Sequence, residues 1–93
     1  MAPDNGMTSR SPEEGALLST AQRRFPGGVL GGYYPPDDLQ FVVKEARGAH
    51  LYDFSGREYL DYILGSGPMV LGHAHPAVIR AVEAQLGRGT TYF

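Results

Sequence analysis

Three groups in this 93-residue sequence have side chains of reactive type: the pair His73-Ala74-His75, the single lysine Lys44, and Ser66 between Gly65 and Gly67. Two histidines one residue apart on a strand put both rings on one face, which is the beginning of a metal site. A metal such as zinc takes three or four protein ligands, however. His50 is the only other imidazole, and no carboxylate cluster at ligand spacing accompanies the pair, so no metal site is expected. His75 precedes Pro76, which favours an extended backbone and suits the opening of a helix. Lys44 is the one amine able to condense with a carbonyl. It sits in a short strand beside Glu45 and a turn, where a solvated surface charge is the expectation. Gly65-Ser66-Gly67 lacks the strand–elbow–helix order that would set a histidine base beside a nucleophilic serine. Arg23-Arg24 reads as compensation of a helix dipole ahead of a phosphate site. On the residues alone, no catalytic, cofactor-binding or metal-binding residue is assigned.

The elements that position these groups are legible in outline. Residues 1–10 are polar, with Pro, Asn, Gly and Ser, and a disordered tail is expected. Ser11, Pro12 and Glu14 form an S-x-x-E capping box that opens a helix, and Pro26-Gly27-Gly28 closes it. Leu17, Leu18 and Ala21 give that helix an apolar face, which Phe25 extends. A loop rich in Gly, Pro and Tyr runs to Leu39. Its Tyr33 and Tyr34 either pack the loop down or line a pocket with a flat face and a hydroxyl. A three-stranded antiparallel meander follows, with strands over 41–45, 50–54 and 58–63 and turns at Ala46-Arg47-Gly48 and Phe54-Ser55-Gly56-Arg57. From Asp61 to Pro76 the chain bends through several glycines. It reopens as a helix over 76–86, with Val78, Ile79, Val82 and Leu86 at helical spacing and Gly87 as a left-handed cap. The expected class is α+β.

Composition narrows the function. The net charge of −2 and pI near 5.8 argue against a nucleic-acid partner, and no apolar run reaches the roughly 20 residues of a membrane-spanning helix. The first residues show no basic and apolar leader, and there is no cysteine; both fit the cytoplasm. Thirteen glycines in so short a chain are costly to order, which suits a connecting piece of a larger protein better than a self-sufficient domain.

Three stretches resemble a known family. Phe25-Pro26-Gly27-Gly28-Val29, the run from Gly48 to Tyr62, and Gly67-Pro68-Met69-Val70-Leu71-Gly72-His73-Ala74-His75-Pro76 are similar, in order and spacing, to the N-terminal region of class III pyridoxal-phosphate aminotransferases. The nearest branch is that of the glutamate-1-semialdehyde 2,1-aminomutases. The resemblance implies a fold type I enzyme, a homodimer in which residues 11–93 would form the N-terminal segment of the small domain. It implies pyridoxal 5'-phosphate, a small-molecule amino donor and acceptor, and amino transfer to a keto acid or aldehyde.

The family's cofactor lysine, its acid at the pyridine nitrogen and its phosphate loop have no counterpart here, so the 93 residues alone are expected to be silent. By the same resemblance, Ser66 and Gly67 border the substrate side of the cofactor, and Tyr33 or Tyr34 closes over it. Two departures bear on substrate. Leu30-Gly31-Gly32-Tyr33-Tyr34 replaces the aminomutases' arginine-bearing carboxylate clamp, and Ser66 stands where they carry a tryptophan. The alternative from another class is a stand-alone, non-catalytic interaction module derived from the family.

Overall fold

A computed structural model of the chain describes residues 9–92. Of the expected disordered tail, residues 1–8 lie outside the described residues. Arg10, at its inner end, donates from Nε and Nη2 to the Gln40 carbonyl at 3.1 and 2.8 Å. The architecture is α+β. Helix α1 (Pro12–Arg24) is followed by strands β1 (Val43–Arg47), β2 (His50–Asp53) and β3 (Glu58–Leu60), then by helix α2 (Pro76–Leu86). Short 3-10 turns stand at Pro26–Gly28, Asp37–Leu39 and Leu64–Ser66. The three strands form one antiparallel sheet in the order β1-β2-β3. The chain divides into two compact units, one holding residues up to Lys44 with Tyr52–Glu58, the other Glu45–Leu51 with residues from Tyr59 onward.

In the first unit, α1 begins where its sequence predicts. Ser11 is extended (φ −63°, ψ 153°), its Oγ accepts the Glu14 N–H at 3.2 Å, and Pro12 occupies the first helical turn. Glu13 and Glu14 at the start and Arg23 and Arg24 at the end all complement the helix dipole. Phe25, forced extended ahead of Pro26, ends the helix by donating its N–H to Ala21 at 2.8 Å.

The capping box closes differently from its local form, in which the glutamate reaches back to the cap residue's N–H. Here the Ser11 N–H goes to Ser55 Oγ at 2.8 Å. Glu14, wholly buried, instead accepts the Val42 N–H on Oε1 at 2.8 Å and the Ser55 hydroxyl on Oε2. One carboxylate therefore ties the helix start to the approach to β1 and to the β2–β3 turn. That turn has its own carboxylate. Asp53, 2% exposed, accepts the Arg57 N–H on Oδ1 at 2.8 Å and the Gly56 N–H on its carbonyl at 3.2 Å.

Apolar packing is looser than this polar frame. Among the described residues no apolar side chain is fully buried, whereas Glu14 and Asp53 are. Leu18, Ala21, Phe25, Val29, Leu39 and Val42 surround an open cavity of about 740 Å³ in the first unit.

In the second unit, β1 and β2 join through the two-residue loop Gly48-Ala49, later than the turn expected at Ala46-Arg47-Gly48. The ladder carries Ala46 and Arg47 as strand in spite of their weak β-propensity, because pairing to a neighbour outweighs intrinsic preference. β1 likewise begins at Val43, not Phe41, and β2 ends at Asp53, not Phe54.

β3 stops at Leu60, three residues short of the expected end. After a last sheet-like bond from the Asp61 N–H to Ala49 at 2.7 Å, the Asp61 side chain captures the next two free amides and turns the chain out of the sheet. Helix α2 starts behind His75, whose Nδ1 accepts the Ala77 N–H at 3.2 Å. Gly87 is right-handed (φ −68°, ψ −8°), not the left-handed cap expected. The left-handed residue is Gly89 (φ 93°), where Gln85 and Tyr92 close the helix end by side-chain bonds. Val78, Ile79, Val82 and Leu86 form the predicted stripe, each 43–60% exposed. Among the described residues no helix is long and apolar enough to cross a membrane.

Candidate functional site

Among the described residues, Ser66 and Gly67 lie in a run of unusual backbone. Leu64, Gly65, Ser66 and Gly67 all have left-handed φ, at 48°, 69°, 65° and 118°. Each residue with a side chain in that region costs about 1–2 kcal/mol, so the turn persists only because its surroundings hold it. Asp61 Oδ1 accepts the Ile63 N–H at 2.8 Å and the Leu64 N–H at 3.0 Å. The Ser66 N–H returns to the Ile63 carbonyl at 2.9 Å, and the Met69 N–H to that of Leu64 at 3.2 Å. Ser66 itself is exposed. Among the described residues no hydrogen bond engages its hydroxyl, which stays available to accept and donate.

His73 stands behind this turn. Its Nε2 lies 2.6 Å from Asp61 Oδ2, with the two side chains only 17% and 8% exposed. The hydrogen bond from His73 holds the Asp61 carboxyl below the usual aspartate range; the Leu64 amide adds to the effect and burial opposes it. A carboxylate only accepts, so His73 Nε2 is the donor of the pair.

The backbone of His73 is equally fixed. Its N–H donates to the Gly48 carbonyl at 2.8 Å and its carbonyl accepts the Gly48 N–H at 2.9 Å, an antiparallel bridge. Gly72 permits that approach. At φ 80°, a Cβ there would stand 2.9 Å from the Gly48 carbonyl oxygen. His75 caps α2, with Ala74 at φ 53° between the two histidines, so the pair does two separate jobs. Among the described residues no three His, Cys, Asp or Glu side chains gather as a metal site would need.

Tyr33 and Tyr34 belong to the first unit and Ser66 and Gly67 to the second, and each pair is placed within its own. Tyr33 is on the wall of the cavity, 76% exposed, where it adds a phenol to a mostly apolar lining that also holds Gln40. The Tyr34 ring lies against Gly27, and a Cβ on that glycine would stand 2.0 Å from Cε1. Lys44 is exposed, with Nζ 5.8 Å from the centre of the Phe54 ring, a weak cation–π contact.

Sequence reasoning passed over Asp61 and His73 as a pair. The signal available was an aspartate at a strand end, just before a glycine-rich bend, where its carboxylate can collect amides two and three residues on. Nothing in the spacing announced that a histidine twelve residues later would meet it.

The family model described as "Aminotransferase class-III" matches residues 33–92, which include all four candidate residues and the Asp61–His73 pair. A glutamate-1-semialdehyde 2,1-aminomutase of Ignicoccus hospitalis is 46% identical over 82 residues, covering 82% of this chain and 18% of that protein. An omega-transaminase from Sphaerobacter thermophilus superposes with a TM-score of 0.77 at 27% identity, covering 95% of this chain and 20% of that one. A variant glutamate-1-semialdehyde-aminomutase from Pseudomonas aeruginosa, solved in complex with PMP, gives 0.75 at 31% identity over 92% of this chain and 19% of its own. The chain thus spans about a fifth of the length of the relatives it matches. Within that span, the family-model match over residues 33–92 and the identity to these relatives leave one conclusion: the chain belongs to the class III aminotransferase family.

Proposed function

We propose that these residues, from Ser11 on, are the N-terminal, small-domain segment of a longer pyridoxal-phosphate-dependent aminotransferase or aminomutase-like enzyme, cytoplasmic and homodimeric. The enzyme moves an amino group between a small amino compound and a keto acid or aldehyde. The observation that carries the reading is the family match over residues 33–92. The PMP complex of a structural relative supports pyridoxal phosphate as the cofactor of the whole enzyme.

The described residues do not fit as its holder. The one lysine is exposed beside Phe54, and the family's cofactor lysine, its acid at the pyridine nitrogen and its phosphate loop have no counterpart among these residues. The cofactor supplies the electron sink for amino transfer when bound. This segment works on the substrate side. Ser66 offers its free hydroxyl to a polar group of the substrate. Gly67, without a side chain, leaves room beside it. Ser66 where the aminomutases carry a tryptophan, and Leu30-Gly31-Gly32-Tyr33-Tyr34 in place of their carboxylate clamp, favour a substrate shaped differently from glutamate-1-semialdehyde.

The test is to express the complete polypeptide in which these residues occur and assay it against a panel of amines and amino acids with a keto acid acceptor. The cofactor's absorbance provides an independent readout. Pyridoxal-phosphate-dependent transfer is the expected result, with the isolated 93 residues inactive. Transfer by the isolated residues, or a complete polypeptide that neither binds the cofactor nor transfers, overturns the reading. In the latter case a non-catalytic module takes its place.

A further inference from the structure

Both ends of the loop that carries Ser66 return to the same two residues. At its start the Asp61 N–H is bonded to Ala49, and at its end His73 is bridged by two hydrogen bonds to Gly48. The Asp61 and His73 side chains then meet across the base of the loop at 2.6 Å. Asp61 divides its carboxylate: Oδ2 takes the histidine, while Oδ1 takes the two amides that launch the left-handed run Leu64–Gly67. If Asp61 rotates to free Oδ1, it breaks the bond to His73, whose backbone is held to Gly48 on the far side of the loop. The pair therefore works as a clamp on the turn.

We propose that Asp61 and His73 are positioning residues whose side-chain pair, stapled on both sides to the Gly48-Ala49 loop, holds Leu64–Gly67 left-handed and so sets where the Ser66 hydroxyl meets the amino substrate. The clamp stands on the geometry alone. Its effect on substrate rests on the substrate-side reading of Ser66 given above.

Two measurements separate these halves. With these residues isotopically labelled within the complete polypeptide, carbon shifts and amide couplings report φ at Leu64 and Ser66. The unaltered chain should show left-handed values at both. His73→Leu should lose them, and His73→Gln, whose amide can still donate to Asp61, should keep them. An unaltered chain with random-coil values there, or a His73→Leu variant that keeps the left-handed values, overturns the clamp. If His73→Leu unfolds the unit, His73→Gln decides, and a right-handed or averaged Ser66 in that variant also overturns it.

In the complete enzyme, His73→Leu should raise KM for the amino substrate about tenfold while kcat stays within about threefold, with His73→Gln restoring KM. Ser66→Ala should raise KM in the same sense. A KM unmoved by Ser66→Ala, with the spectroscopic result as expected, overturns the substrate-side role and leaves the clamp standing.

Discussion

Glu14 in the first unit and Asp61 in the second are both carboxylates that gather backbone amides from a neighbouring stretch, yet they sit in different company. Glu14 is wholly buried and faces neutral donors, the Val42 amide and the Ser55 hydroxyl. Asp61 is nearly buried, faces two amides of its own turn, and has an ionisable partner in His73. Glu14 joins segments 28 and 41 residues away in sequence, whereas Asp61 gathers a bend that starts two residues on.

The difference divides framing from presentation. A carboxylate sealed among neutral donors fixes where elements meet, because losing it strands buried groups with no water to replace it. A carboxylate shared between a local turn and a histidine holds a strained backbone open toward solvent. The first unit accordingly shows regular helix around its knot, and the second shows four left-handed residues in succession.

Substitutions can break this comparison or sharpen it. The largest effect is expected from Glu14→Ala, which leaves the Val42 amide and the Ser55 hydroxyl unpaired in the interior and should cost about 3 kcal/mol in urea unfolding of the chain. A loss under about 1 kcal/mol would mean that water reaches the site, and the contrast with Asp61 would fail.

Gly72→Ala comes next, at about 2–3 kcal/mol. A Cβ would meet the Gly48 carbonyl oxygen at 2.9 Å on a residue already at φ 80°, and backbone on both sides has little freedom to shift. Loss of the hydrogen-exchange protection of the Gly48 and His73 amides is the accompanying sign.

The third prediction uses pH. The folded-state pKa of Asp61 is depressed, so its contribution is present above the unfolded value near 4 and is lost as pH falls through and below that value. Asp61→Asn should therefore be less stable than the parent at neutral pH, with the two converging on acidification; curves that stay parallel to pH 2 would count against the pairing. Ser11→Ala removes the cap of α1 and its bond to the Phe54 carbonyl, for about 1 kcal/mol. Val82→Ser should be the mildest, within about 0.5 kcal/mol, because Val82 is 47% exposed in this chain.

Much of the molecule is legible in its sequence. Ser11, Pro12 and the closing Pro26 bracket α1 by backbone chemistry that operates within a few residues. The aromatic and β-branched runs named the three strands, and the Val78–Leu86 stripe named α2. The element ends that depart from the sequence reading fall where specific hydrogen bonds override intrinsic propensity. Ala46 and Arg47 became strand through pairing, and β3 ended early because a side chain outcompeted the ladder for amides. Gly87 was a sound local choice for the left-handed cap, displaced to Gly89 by the bonds of Gln85 and Tyr92.

The sequence by itself therefore determined element type, order and family. Those depend on the chemistry of neighbouring residues and on a pattern of glycines, prolines and aromatics that keeps its spacing. Only the tertiary structure decided what the polar side chains do. It turned half of a capping box into a bond with Val42 and Ser55, gave His73 and His75 separate tasks, and brought Asp61 to His73 under the turn that presents Ser66. A hydrogen bond across 12 or 28 residues is set by where the backbone returns in space, and no local rule carries that information.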